Sequence, residues 1–156
     1  MAIENTVRLD ILLTLEELFK GLTEATDGVK FSTVTLGPLG PTDATKRLSL
    51  GIVPGKEKKD RLSRAADCTL PLDIEFRITI NQGDVKPQVL GEQVLGIVQQ
   101  AINRDPSLGD LVIDMTEVGN EVSLDTYQDR TVMGVVNYEV RYRHAERDVR
   151  DPNLSA

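Results

Sequence analysis

One histidine, one cysteine and many carboxylates are the side chains in this 156-residue chain that could do chemistry. Their spacing decides whether they do. His144 stands in the run His144-Ala145-Glu146-Arg147-Asp148. An imidazole works as a general base or metal ligand only beside a nucleophile, a second ligand or an orienting carboxylate. No Ser-His-Asp order, HExxH motif or calcium-loop spacing accompanies it, so it reads as a solvated residue opening a polar C-terminal tail, 144–156. Cys68 is alone, which excludes an intramolecular disulfide and speaks against a cysteine metal cluster. It lies in an alternating apolar run and reads as a small buried hydrophobe rather than a nucleophile. Asp110, Asp114, Glu117 and Glu121 could be drawn into a divalent cation site, since hard cations take carboxylate oxygens. An acidic protein carries such residues on its surface without a ligand, and no metal is assigned to them. Gly37-Pro38-Leu39-Gly40-Pro41 is not followed by Lys-Ser/Thr, and its prolines remove the backbone donors a phosphate cradle needs. It reads as a stiff turn. Neither a catalytic residue nor a cofactor is expected, and the chain does not read as an enzyme.

The one local charge anomaly is residues 54–66, expected to be a polar loop. Lys56, Lys58, Lys59, Arg61 and Arg64 stand there against Glu57 and Asp60, a local +3 in a chain of net charge −7. The remainder therefore carries −10. A cationic segment on an acidic chain fits docking on an acidic neighbour, where charge complementarity fixes register. Nucleic acid is the poorer match: the segment has no aromatic side chain for base stacking, and general phosphate binding needs clustered Lys and Arg over a wider surface. The acidic remainder suits a surface that DNA passes without adhering.

Such residues need a scaffold, and the length supplies one domain able to bury roughly two thirds of the surface of its unfolded chain. No apolar run approaches the roughly 20 residues that span a bilayer. Glu4 and Asp10 break the basic-then-apolar order of a signal peptide, so a cytosolic chain without membrane contact is expected. Val7, Ile11, Leu15, Leu18 and Leu22 step by three or four residues, which predicts a helix over about 2–26, stopped by Asp27-Gly28. Short strands are expected at 29–36 and at 48–52, where Leu48, Leu50 and Ile52 alternate.

The strongest pattern is 68–80. Cys68, Leu70, Leu72, Ile74, Phe76, Ile78 and Ile80 occupy every even position, the signature of a half-buried strand in an antiparallel setting. Pro71 cannot donate to a ladder and marks that end as an edge or bulge. After a turn at 81–86, a helix begins at Pro87 with Leu90, Val94, Ile97, Val98 and Ala101 on one face. Gly91 and Gly96 lower its intrinsic stability by up to about 1 kcal/mol each, so packing must hold it. Strands at 111–116 and 132–143 follow, with Gly119-Asn120 read as a turn. The order predicts an α+β domain: a mostly antiparallel sheet of about five strands with two main helices on one face. Leu72, Ile74, Phe76 and Ile78 should pack in the core against Leu90, Val94 and Val98.

Over nearly its full length the chain resembles the tail terminator, or tail completion, proteins of long-tailed bacteriophages. The opening helix, the strand around Ile74-Glu75-Phe76-Arg77-Ile78 and the helix 89–102 carry the resemblance. Asp105-Pro106-Ser107-Leu108-Gly109-Asp110-Leu111-Val112 and Asn137-Tyr138-Glu139-Val140-Arg141-Tyr142-Arg143 add to it. The resemblance implies a structural virion protein of the tail or neck, assembled in the host cytoplasm as a hexameric ring on the finished tail tube. Such a ring stops tube polymerisation and presents the surface the filled head joins. It implies as partners further copies of the chain, the major tail tube protein and a head-completion or neck protein, with DNA crossing the lumen unbound. No catalytic residue comes with it. Lys56, Lys58, Lys59, Arg61, Arg64, Arg141 and Arg143 are the candidate contacts to a neighbouring subunit or the tube. A head-completion or stopper protein of the neck shares the same helix-and-strand rhythm and stays open as an alternative. A small α+β enzyme would need a concave pocket with convergent polar groups, against which the shortage of His and Cys counts.

Overall fold

Two 15-residue strands, β4 (Ala65–Thr79) and β6 (Thr131–Ala145), form the spine of the molecule. The structure, a computed structural model, describes residues 3–40, 47–80, 86–124 and 131–152. β4 and β6 pair antiparallel along their whole length, from Ala65 opposite Ala145 to Thr79 opposite Thr131. Every even residue of β4 from Ala66 to Ile78 is buried, as are Val132, Val136, Tyr138, Val140 and Tyr142 of β6. Period-two burial of this kind needs one dry and one wet face. The six-stranded sheet runs β1 (Thr33–Leu36), β2 (Leu48–Pro54), β4, β6, β5 (Asp114–Leu124). β3 (Lys58–Arg61) pairs with β4 below β2. All neighbours are antiparallel except β1 and β2.

The helices cover the dry face only. α1 (Val7–Lys20) is capped by Thr6, whose hydroxyl accepts from the Leu9 amide at 3.1 Å. It buries Val7, Ile11, Leu12, Leu15 and Phe19 over β1 and β2. The single helix expected over 2–26 is two: α1 stops at Gly21, and Thr23 restarts the chain as N-cap of α2 (Glu24–Asp27). A hydroxyl that accepts from the Thr26 amide competes with continued α1 hydrogen bonding. α3 (Pro87–Asn103) lies over β5 and β6. Its Gly91 is a contact residue, since a Cβ there would come within 2.8 Å of Val122 and 2.7 Å of Val132. Helix and sheet approach closely because that side chain is missing. Val94, Val98, Leu72, Ile74, Phe76 and Ile78 are buried in one core, and Leu90 is partly buried against it. α3 sits mainly above β5 and β6, however, and the ring of Phe76 fills the space over Gly134.

Several expectations about the strands change. The polar loop at 54–66 contains β3, whose four residues are all exposed and whose hydrogen bonds come from β4. Gly119-Asn120 is no turn: β5 runs through it with a bulge between Glu117 and Gly119, the extra residue left unpaired. Residues 111–113 precede β5, and the first expected strand, 29–36, shrinks to β1. Pro71 lies inside the central strand, opposite Glu139. Its carbonyl accepts from the Gly55 amide at 2.7 Å, so its donorless nitrogen faces the corner where the chain turns from β2 into β3. The ladder changes partner there, which is where a missing donor costs least. Most of the expected turn at 81–86 lies outside the described residues, as do Pro41 and the last four residues of the tail.

Candidate functional site

The register of β3, β4, β6 and β5 lays the candidate cations in rows across one end of the sheet. One row reads Lys58, Thr69, Arg141, Asp114; the neighbouring rows read Lys59, Cys68, Tyr142, then Asp60, Asp67, Arg143, then Arg61, Ala66, His144. Directly opposed residues of an antiparallel pair share a face. Lys58, Asp60, Asp67, Arg141 and Arg143 therefore stand on the open face, while Lys59, Arg61, Tyr142 and His144 stand on the helix side. Arg64 lies in the β3–β4 turn, its carbonyl accepting from the Glu146 amide at 3.2 Å, and Lys56 just precedes β3. All seven candidates thus meet at one end of the sheet, divided between its faces.

On the open face the arginines are already matched. Arg143 Nε lies 2.5 Å from Asp67 Oδ1, and Arg141 bridges Asp67 at 3.9 Å and Asp114 at 3.7 Å. Lys56, Lys58 and Arg61 are exposed and make no ion pair among the described residues.

The helix side holds a polar cluster that sequence reasoning missed. Glu57 is its centre: it accepts a short hydrogen bond from the Tyr142 hydroxyl and lies 3.6 Å from Lys59 Nζ and 3.9 Å from Arg8. His144, expected in a solvated tail, is instead the next inward residue of β6 and only 3% exposed. Its Nδ1–H donates to the Ala145 carbonyl at 2.7 Å, leaving Nε2 to accept from Lys59 Nζ at 2.8 Å. Both ring nitrogens are occupied, so the imidazole holds structure and has no position free to accept a substrate proton. The signal for its burial was present in sequence, since the alternation Val140, Tyr142 continues to His144. Beyond β6 the chain folds back over this cluster, the Val149 carbonyl accepting from the Val7 amide at 2.9 Å and the Asp151 carbonyl from the Ala145 amide at 2.8 Å.

Electrostatics agree with a structural cluster. Burial, and then the hydrogen bond to Glu57, push the Tyr142 phenol far above its ordinary range. Burial, and then the charge of Glu57, push the Cys68 thiol up, which suppresses the thiolate a nucleophile requires. Cys68 is 1% exposed and packs as the buried hydrophobe expected. Two small cavities, of about 150 and 300 Å³, flank the Lys59–His144 pair. Thr6, Arg8 and Tyr142 line the first, where Arg8 and Tyr142 are turned to Glu57, and Arg61, Glu146 and Arg147 line the second.

The opposite edge of the sheet has the opposite charge. β5 carries Asp114, Glu117 and Glu121 and no Lys or Arg. Glu117 accepts from Gln99 of α3 at 3.0 Å and from Asn120 at 2.7 Å. Among the described residues no group of three His, Cys, Asp or Glu converges as a metal site would need, and no helix is long and apolar enough to cross a membrane.

No family model matches the chain, and no curated protein matches it. Among solved structures it is similar to the sheath/tube terminator, in its extended state, of an extracellular contractile injection system termed PVC. That likeness covers 99% of this chain at 13% identity and a TM-score of 0.48. The chain spans 62% of the length of that protein.

Proposed function

We propose that this chain is a tail terminator: a ring-forming structural protein that caps a finished tail tube, ends its polymerisation and offers the surface for head joining. One observation carries the reading. All seven candidate interface cations collect at one end of a sheet in which, among the described residues, the β4–β6–β5 open face bears no helix and the edge strands β3 and β5 are bare. A part that must grip neighbours needs accessible, charge-marked edges. An enzyme of this size would need free polar groups converging in a pocket, whereas His144, Tyr142 and Glu57 satisfy one another. The capping mechanism is geometric: one ring face copies the tube's interface, the other does not, and subunit addition stops. By resemblance the ring has six subunits, sits in the virion, and meets the major tail tube protein on one side and a neck protein on the other.

The test is tube length. Purified protein added to polymerising tail tubes should arrest growth and appear by electron microscopy as a ring at the tube end. Tubes that lengthen undisturbed, with no ring at any protein concentration, would reject the reading.

A further inference from the structure

Besides β1, the sheet has two outer strands, of opposite charge, with nothing paired beyond them among the described residues. β3, on one side, carries Lys58, Lys59 and Arg61 against Asp60. β5, on the other, carries three carboxylates and no cation. Among the described residues neither strand makes a backbone hydrogen bond across its outer side. We propose that these edges pair with each other between copies, β3 of one subunit adding as an antiparallel strand to β5 of the next. The partner is a second copy of this chain, and the inference rests on the ring reading above.

Three features carry it. The first is direction. Along β3–β4–β6–β5 every neighbour is antiparallel. In a run of four alternating strands the outer two point opposite ways, so setting β3 beside the β5 of another copy in the same orientation continues the alternation.

The second is level and face. Lys58 and Asp114 lie in one row, and both stand on the open face, as Glu121 does opposite Val135. Glu117, opposite Tyr138, stands on the helix side with Lys59 and Arg61. A slide of six residues from the Lys58–Asp114 row keeps inward residues inward and, across the β5 bulge, sets Lys58 opposite Glu121 on the open face and Arg61 opposite Glu117 on the helix side. The two edges are three strand spacings apart, roughly 14 Å, which makes the repeating unit a ribbon four strands wide.

The third is exclusion. Exposed edges are commonly protected by charge. Here β3 repels another β3 and β5 repels another β5, while each attracts the other. That sign pattern disfavours two-fold dimers and selects the heterologous contact, which closes into a ring when its rotation closes.

Two charge-reversed proteins test this: Lys58→Glu with Arg61→Glu on β3, and Glu117→Lys with Glu121→Lys on β5. Lys59 is left alone because it holds His144. Circular dichroism and thermal melting check that each folds, and light scattering at low salt reads mass. Each variant alone should remain at the 17.2 kDa of the monomer, with its half-assembly concentration raised at least about tenfold, since like charges face each other. Mixed one to one they should assemble, because both junctions regain opposite charge, and the rings should alternate the two variants. The neutral pair Lys58→Gln with Arg61→Gln covers a misfolded reversal: its assembly should lose most of the salt dependence of the parent protein. Parent rings that form while each reversed variant also assembles normally, or while folded variants fail to co-assemble, would overturn the edge pairing and leave the tail-terminator reading standing. A parent protein that stays monomeric, alone and on tail tubes, would overturn both.

Discussion

The two ends of β4 solve the same problem with opposite chemistry. From Leu70 to Ile78 its inward side chains are aliphatic or aromatic, fully buried, and matched by β2, β6 and the helices. From Ala66 to Cys68 the inward neighbours become Lys59, Tyr142 and His144, gathered round Glu57. The apolar end draws its stability from area removed from water, which is non-directional. The polar end gains little net energy from each hydrogen bond but is penalised heavily for any left unmade. One end therefore sets how stable the molecule is, and the other sets where the C-terminal segment, α1 and β3 must sit relative to one another.

The largest break should come at the apolar end. Phe76 is fully buried, and its ring occupies the space above Gly134, where an added Cβ would lie 2.1 Å from Cζ. Phe76→Ala should cost about 3–5 kcal/mol, read by chemical denaturation. Gly134→Ala should also destabilise strongly, and adding Phe76→Leu should recover part of the loss. Equal melting of the parent and Phe76→Ala would show that the ring is not packed as described.

The polar end should yield less, and differently. Glu57→Ala strands the Tyr142 hydroxyl and removes the carboxylate facing Arg8 and Lys59, so a loss of about 1–3 kcal/mol is expected. It should also loosen the C-terminal segment, seen as faster amide exchange at Val7 and Ala145, whose protons go to Val149 and Asp151. Alkaline pH gives a second reading. The folded-state phenol of Tyr142 is raised, so the unfolded chain loses that proton first, near pH 10. Stability from this group is intact below that pH and falls as pH rises above it, by about 1.4 kcal/mol per unit. Tyr142→Phe should flatten that fall.

Tyr138 sharpens the contrast between the ends because it is a tyrosine without a hydroxyl partner among the described residues. Its hydroxyl is buried, and burial raises its phenol as well. Tyr138→Phe removes a polar group that folding desolvates without return, so stability should rise by up to about 1 kcal/mol, where Tyr142→Phe lowers it. Urea titration of the two variants side by side decides this. A loss at Tyr138 as large as that at Tyr142 would mean that its hydroxyl is also held.

Legibility in sequence divides along the same line. β4 and β6 were readable because one face is buried throughout, and burial writes period two into the residue types. β3 was not: Lys58-Lys59-Asp60-Arg61 has no apolar period, since its strand geometry is imposed by pairing with β4. The bulge at Glu117–Gly119 looked like a turn because glycine serves both. For the candidate site, charge anomaly located the cations, but their division between two faces, and the carboxylates Asp67 and Glu57 that meet them, depend on register. A register is a tertiary fact. His144 was misplaced because its composition, followed by Ala145 and Glu146, suggested a tail, although the alternation already pointed inward.

The smallest effect lies away from both ends, where Arg104 after α3 donates to Asp27 of α2 at 2.7 Å. That hydrogen bond first, and then the one from the Thr23 amide, hold the Asp27 carboxyl below its ordinary value. Its folded-state value being lowered, whatever stability it adds is present above the unfolded value of 3.8 and fades as pH falls below it. The pair is solvent-exposed on the arginine side, where salt screens it. Arg104→Ala should therefore leave folding at neutral pH almost unchanged while returning the Asp27 titration, followed by NMR, toward the normal carboxylate range. Thr23 should still hold it partly below, because the backbone donor remains. An unshifted titration in Arg104→Ala would assign the effect to the backbone alone. That would make the α2–α3 contact incidental, unlike the Glu57 cluster, where every partner is built into a strand or a helix.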